Sequence, residues 1–186
     1  MVSTKPAGVL PFLILGLLAD EPRSGYDLRK IFRDTPMASF SDSPGSIYPA
    51  LRALERRKLV QARTDASRPL RPRRLYRATA AGRAALVEWL RQPVVGHDVA
   101  RDADAFGARL AFMSARLSPA EIERLTELHA VALREHVEGV RAFARQHTAI
   151  MPFSARMALE GGVALLQARL CWVERVLHEL KHRRPR

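Results

Sequence analysis

Cysteine is nearly absent from this chain: Cys171 is the only one in 186 residues, so no intrachain disulfide can form and a reducing, cytoplasmic setting fits. A lone thiol beside an apolar seam is expected to be packed rather than reactive. Long apolar runs are also missing. The stretch Val9 to Ala19, after Lys5, is too short to span a bilayer. Asp20, Glu21 and Pro22 follow it, where a leader would end in a small-x-small cleavage site, so a buried first helix is expected rather than the signal peptide of a secreted basic protein. No membrane partner is expected. There is no glycine-rich phosphate loop, no G-x-S-x-G and no H-E-x-x-H, so no enzyme is expected. All six histidines lie beyond residue 96; His178 and His182 stand at i, i+4 without an evident third ligand, so neither a metal nor a cofactor is expected. Lysine is scarce too, with only Lys5, Lys30, Lys58 and Lys181.

Arginine fills that gap. The net charge is +12, and residues 1–95 carry +9 of it while residues 96–186 carry +3. Codon usage rich in G and C raises arginine everywhere, but it does not explain this asymmetry. The first half is therefore the candidate surface for a polyanion, and guanidinium groups suit bidentate contacts to phosphate and guanine. With 47% hydrophobic residues the chain has enough apolar material for one or two small folded domains.

The order of elements is informative. A hydrophobic helix spans Leu10 to Ala19. Ser24, with Asp27 three residues on, is an imperfect capping box for a helix from Gly25 to Asp34, with Tyr26, Leu28, Ile31 and Phe32 as apolar contacts. Ser43 and Pro44 are good N-cap and first-turn residues for a third helix, running to about Lys58. Its stripe Ile47, Ala50, Leu51 and Leu54 faces a core, and Tyr48, Pro49, Arg52 and Arg56 face the other way. Leu59 to Thr64 and Arg73 to Ala78 read as two strands of a hairpin, with Leu75 a core candidate and Arg63, Arg68, Arg71, Arg73, Arg74 and Arg77 along its edges. Thr79 opens a helix to Arg91, with Leu86, Trp89 and Leu90 inward. Helix, helix, helix, strand, strand, helix is the arrangement of a winged helix-turn-helix domain, here residues 1–92.

Residues 93–186 read as a second, all-helical domain after a linker at Pro93 to Asp98. Helices are expected over Ala103 to Arg116, from the capping box Ser118-Pro119-Ala120-Glu121 to about Gln146, and over Ser154 to His182. In the last, Leu159, Val163, Leu166, Leu170, Val173, Leu177 and Leu180 recur as a heptad seam, the candidate dimerisation surface. Leu165, Trp172 and Val176 form a second stripe, so one face can dock on its own domain while the other meets a second subunit. Gly161-Gly162 weakens this helix unless it serves close helix contact. Trp89 and Trp172 are expected in the core.

In this setting Arg52 and Arg56 are candidate contacts to guanine edges or phosphates. Ser43, Ser46 and the amides at the helix start are candidate phosphate ligands. Tyr48 either reaches the DNA backbone or packs between helices, and Pro49 offers a flat, close approach. Arg68, Arg71, Arg73 and Arg74 of the wing are candidates for clamping phosphates or entering a minor groove.

These segments also resemble a known family. Ser43-Pro44-Gly45-Ser46-Ile47-Tyr48-Pro49-Ala50-Leu51 is very similar to the recognition-helix signature of the PadR-like transcriptional regulators. Ser24-Gly25-Tyr26-Asp27-Leu28 resembles the family's second-helix motif, and Pro72 to Tyr76 with Thr79 and Gly82 resembles its wing and following helix. Departures are Ser24 for the usual His, Ser46 for Thr and Ala80 for Glu. The likeness covers about residues 8 to 92; the remainder resembles the longer helical domain of one subgroup. The resemblance implies a homodimer that binds palindromic operators in double-stranded DNA, commonly as a repressor, and a response to small phenolic or drug-like effectors. A second reading is a non-regulatory helical protein that binds an acidic partner; it predicts a monomer without preference for any DNA.

Overall fold

The computed structural model describes residues 8–40, 43–65, 73–94, 96, 99 and 105–182. The chain divides into two compact units, Met1–Leu90 and Arg91–Arg186. The fold is mainly α, with a small antiparallel sheet in the first unit.

The first unit runs α1 (Val9–Asp20), β1 (Arg23–Ser24), α2 (Gly25–Asp34), a 3-10 turn (Pro36–Ser39), α3 (Pro44–Arg56), β2 (Val60–Asp65), β3 (Arg73–Ala78) and α4 (Ala80–Arg91). In α1 every residue from Leu13 to Leu18 is buried, as suits a helix that is apolar all round. Leu28 and Phe32 of α2, Ile47, Leu51 and Leu54 of α3, and Leu86, Trp89 and Leu90 of α4 complete the core. Trp89 stacks on Phe12 at 4.8 Å. The capping box of α2 is complete: Asp27 N–H donates to Ser24 Oγ, while the Asp27 carboxylate accepts from the Ser24 amide and hydroxyl.

Three features were not legible in the sequence. β1 adds a third strand, in the order β1-β3-β2, pairing Arg23 with Tyr76 and Ser24 with Leu75. Two residues are too few for an alternating pattern to register. Second, the inward residue of β3 is Tyr76, and Leu75 is only half-buried on the opposite face, since neighbours along a strand alternate. Third, Tyr26 is 60% exposed rather than part of the core.

Helix α3 stops two residues earlier than the sequence suggests, in a Schellman motif: Leu59 N–H donates to Leu54 O at 2.9 Å and Lys58 N–H to Glu55 O at 2.9 Å. Lys58 takes the left-handed conformation, φ 57°, where glycine is usual; a lysine there costs about 1 kcal/mol and leaves no signal in the sequence. Immediately after it, the Leu59 carbonyl accepts from Thr79 N–H at 3.0 Å. A Cβ built on Gly82 would lie 2.0 Å from that same carbonyl oxygen, so α4 reaches the wing only because residue 82 has no side chain.

The second unit contains α5 (Ala105–Met113), α6 (Pro119–His147), a 3-10 turn (Thr148–Ile150) and α7 (Phe153–His182). The capping box of Ser118 and Glu121 opens α6; hydrogen bonds from the Ser118 amide and hydroxyl, and then Arg91, hold the Glu121 carboxyl down to about 2. Val94, Val99, Phe106, Ala130, Leu133, Val137 and Val173 form the core, with Leu166 and Leu170 packed on it. The seam of α7 is thus at least partly spent within the subunit: Val173 is fully buried, and the other six seam residues are half-buried. The second stripe behaves differently, since Leu165 is 75% and Trp172 40% exposed. Trp172 is therefore not a core residue, although it meets Phe106 edge-on at 6.0 Å, and Cys171 is exposed rather than packed. A Cβ on Gly161 or Gly162 would meet open space, so the glycine pair serves no close contact among the described residues.

His129 is 2% exposed, with Nδ1 3.1 Å from the Val94 carbonyl and its ring stacked on Phe106 at 4.3 Å; Nε2 has no hydrogen-bond partner among the described residues. Burial pushes its pKa below the ordinary 6.5, the Val94 hydrogen bond opposes that, and Arg169 and Arg109 add to the lowering.

Two predictions follow from this packing. Gly82→Ala lowers the stability of the winged unit by at least about 1–3 kcal/mol in chemical denaturation, because the obstacle is backbone rather than a mobile side chain. The folded state holds His129 neutral, so its contribution is present above pH 6.5 and is lost as pH falls through that value toward the lowered pKa. Thermal unfolding of the second unit is expected to shift to lower temperature between about pH 7.5 and about pH 5.5, and His129→Gln to flatten that dependence.

Candidate nucleic-acid interface

Helix α3 carries the site. Its buried stripe of Ile47, Leu51 and Leu54 turns Tyr48, Pro49, Arg52 and Arg56 outward, and all four are exposed. Neither Arg52 nor Arg56 forms an ion pair among the described residues. Pro49 lies inside the helix and removes one backbone donor, which leaves a flat spot on the outward face.

The two serines at the helix start are already engaged locally. Ser43 Oγ accepts from Gly45 N–H at 3.1 Å and caps the helix, and the Ser46 hydroxyl donates to the Ser43 carbonyl at 3.0 Å. They fix where α3 begins, and the phosphate-ligand role expected of their side chains competes with those bonds. Of the two readings the sequence left open for Tyr48, the structure shows the packing between helices. A Cβ on Gly25 would lie 2.5 Å from Tyr48 Cε1, so the ring lies across the start of α2, yet Tyr48 remains 38% exposed.

The wing arginines differ from one another. Arg74 Nη2 donates to Glu55 Oε1 at 2.6 Å, and its guanidinium lies 5.4 Å from the centre of the Tyr76 ring. It joins β3 to α3 as a strut, and the DNA-ligand role expected of it competes with that pair; so exposed a pair adds only about 0–1 kcal/mol. Arg73 is exposed and forms no ion pair among the described residues. Burial raises the Asp27 carboxyl, but the hydrogen bonds from Ser24 and then the charges of Arg73 and Arg23 outweigh that and leave it below its ordinary 3.8. Arg63 and Arg77 are exposed on the outer face of the sheet, around a hollow of about 380 Å³ lined also by Pro22, Gln61, Ala62 and Leu75. Arg68 and Arg71 lie outside the described residues. Glu55 was missed in the sequence: an acidic residue on a basic helix reads as solvated unless its partner, nineteen positions away, is known.

No group of three or more His, Cys, Asp or Glu among the described residues is arranged to hold a metal, and no described helix is long and apolar enough to cross a membrane. Residues 14–88 match the model of the transcriptional regulator PadR-like family. The matched residues lie within the first unit. The chain is 32% identical over 88 residues to the negative transcriptional regulator PadR of Bacillus subtilis; that match covers 46% of this chain and 48% of the relative, about half of its length. Among solved structures it is similar to Bacillus subtilis PadR in complex with operator DNA, at 24% identity over 95% of this chain and 99% of that one, with a TM-score of 0.43. It is similar also to Bacillus subtilis PadR in complex with p-coumaric acid, at 22% identity over 94% and 100%, with a TM-score of 0.39. The PadR-like match takes in α2, α3, both long wing strands and most of α4, so every described residue of the candidate interface falls within it.

Proposed function

We propose that the chain is a DNA-binding transcriptional regulator that acts as a homodimer, represses by occupying a palindromic operator, and reads DNA with the outward face of α3. The observation that carries this reading is the pair of exposed arginines, Arg52 and Arg56, one turn apart on that face and without ion pairs among the described residues, inside a PadR-like domain. One turn of helix separates them by about 6 Å, within reach of successive acceptors on base edges or phosphates. The name of the Bacillus subtilis relative, a negative regulator, supports repression.

Two copies are needed for a palindrome. We assign the joining of the copies to the second unit and shift its centre from the seam to the stripe beside it. Leu165 and Trp172 are exposed on α7, whereas Val173, at the middle of the seam, is already committed to its own subunit. Leu159, Val163, Leu166, Leu170, Leu177 and Leu180 stay half-buried and flank that stripe. Any small-molecule effector would act through this same unit.

Selection from a pool of random duplexes, followed by a mobility-shift titration, tests the reading. The expected outcome is salt-sensitive binding with a preferred, two-fold symmetric sequence, and Arg52→Ala is expected to change base preference by about 1–3 kcal/mol at one position of each half-site. Binding without any sequence preference, or a monomer in light scattering, favours the acidic-partner reading instead.

A further inference from the structure

An open notch of about 640 Å³ lies between the start of α2, the outward face of α3 and strand β3, lined by Ser24, Gly25, Tyr26, Tyr48, Arg73, Arg74 and Tyr76. We propose that this notch grips one backbone phosphate of bound DNA through Tyr26, Tyr48 and Arg73, which extends the protein's DNA surface from the recognition helix onto α2; the proposal rests on the DNA-binding reading above.

The donors are available. Tyr26 is 60% and Tyr48 38% exposed, and neither hydroxyl has a hydrogen-bond partner among the described residues. Arg73 is exposed and without an ion pair among those residues. Arg74, by contrast, is held by Glu55 and lies over Tyr76, so it forms a wall rather than a ligand. Two phenols and a guanidinium converging on one hollow present hydrogen-bond donors from three elements. A phosphate oxygen only accepts, whereas a base edge mixes donors and acceptors, so the set matches the backbone better than a base.

The notch has also been shaped for this. The grip comes from side chains and does not call on the helix start, where the capping box of Ser24 and Asp27 engages the Asp27 amide. A Cβ on Gly25 would lie 2.5 Å from Tyr48 Cε1, so the glycine lets the Tyr48 ring lie across the start of α2 without displacement. Asp27 limits the site. Its carboxylate is turned to Ser24 and feels the charge of Arg73, so the notch suits a phosphate delivered by the rest of the duplex rather than a free anion. Tyr48 belongs both to the notch and to the outward face of α3, which makes the two surfaces continuous.

Fluorescence anisotropy of the full chain with a labelled duplex from the selected pool, and with an unrelated duplex, tests the assignment. Tyr26→Phe removes one hydroxyl from an exposed side chain and leaves thermal unfolding unchanged. It is expected to weaken binding to both duplexes by the same factor, about three- to tenfold. Arg73→Ala is expected to do likewise and to lower the slope of log affinity against log salt by about one. Wild-type binding that Tyr26→Phe and Arg73→Ala leave unchanged overturns the notch while the DNA reading stands, as does a loss confined to the selected duplex. A wild-type chain that binds neither duplex removes the DNA reading and the notch with it.

Discussion

The carbonyl group of Leu59 is the point on which the winged unit depends. It follows the left-handed turn at Lys58 that ends α3, and it receives the Thr79 amide at 3.0 Å where β3 gives way to α4. The Thr79 hydroxyl lies 2.8 Å from the Lys58 carbonyl and 3.1 Å from that of Leu59, and accepts from Gly82 N–H at 3.0 Å. A single threonine thus fastens the exit of α3, the root of both wing strands and the cap of α4. Gly82 makes this possible by leaving the carbonyl room. The angle between α3 and the wing follows from this knot, and so does the set of side chains that share one surface.

That geometry sorts the arginines, which composition alone cannot do. Arg74 is drawn back to Glu55 and closes the wing against α3, and Arg23 pairs with Glu21 beside β1. Arg52, Arg56 and Arg73 keep their charge outward. Basic charge near a polyanion acts mainly through groups that are not already neutralised, so a few residues carry the surface although many arginines surround it. The same economy marks the second unit, where Val173, Leu166 and Leu170 of the apolar repeat serve its own core while Leu165 and Trp172 of the stripe beside it are exposed.

Much of this was legible in the sequence because it rests on local chemistry. Ser24, Ser43 and Ser118 cap the helices they were expected to cap, and β3 and α4 begin and end at the residues that turn signals and periodicity suggest. What was not legible is long-range. The pairing of Arg74 with Glu55, the strand at Arg23–Ser24, the wedge of Tyr48 over Gly25 and the closeness of Gly82 to Leu59 each join segments whose proximity only the fold creates. Tyr26 and Trp172 are aromatic at helical spacing and so read as core; periodicity locates an apolar face without saying whether anything within the chain covers it.

The central claim is that the outward face of α3, with Arg52 and Arg56, is the surface that reads DNA. A crystal structure of the full chain with its selected duplex tests it most directly. The account predicts α3 lying in a major groove, with the guanidinium groups of Arg52 and Arg56 within hydrogen-bonding distance of base edges or phosphates. A duplex seated instead on the outer face of the sheet, against Arg63 and Arg77, with α3 facing solvent, would contradict it.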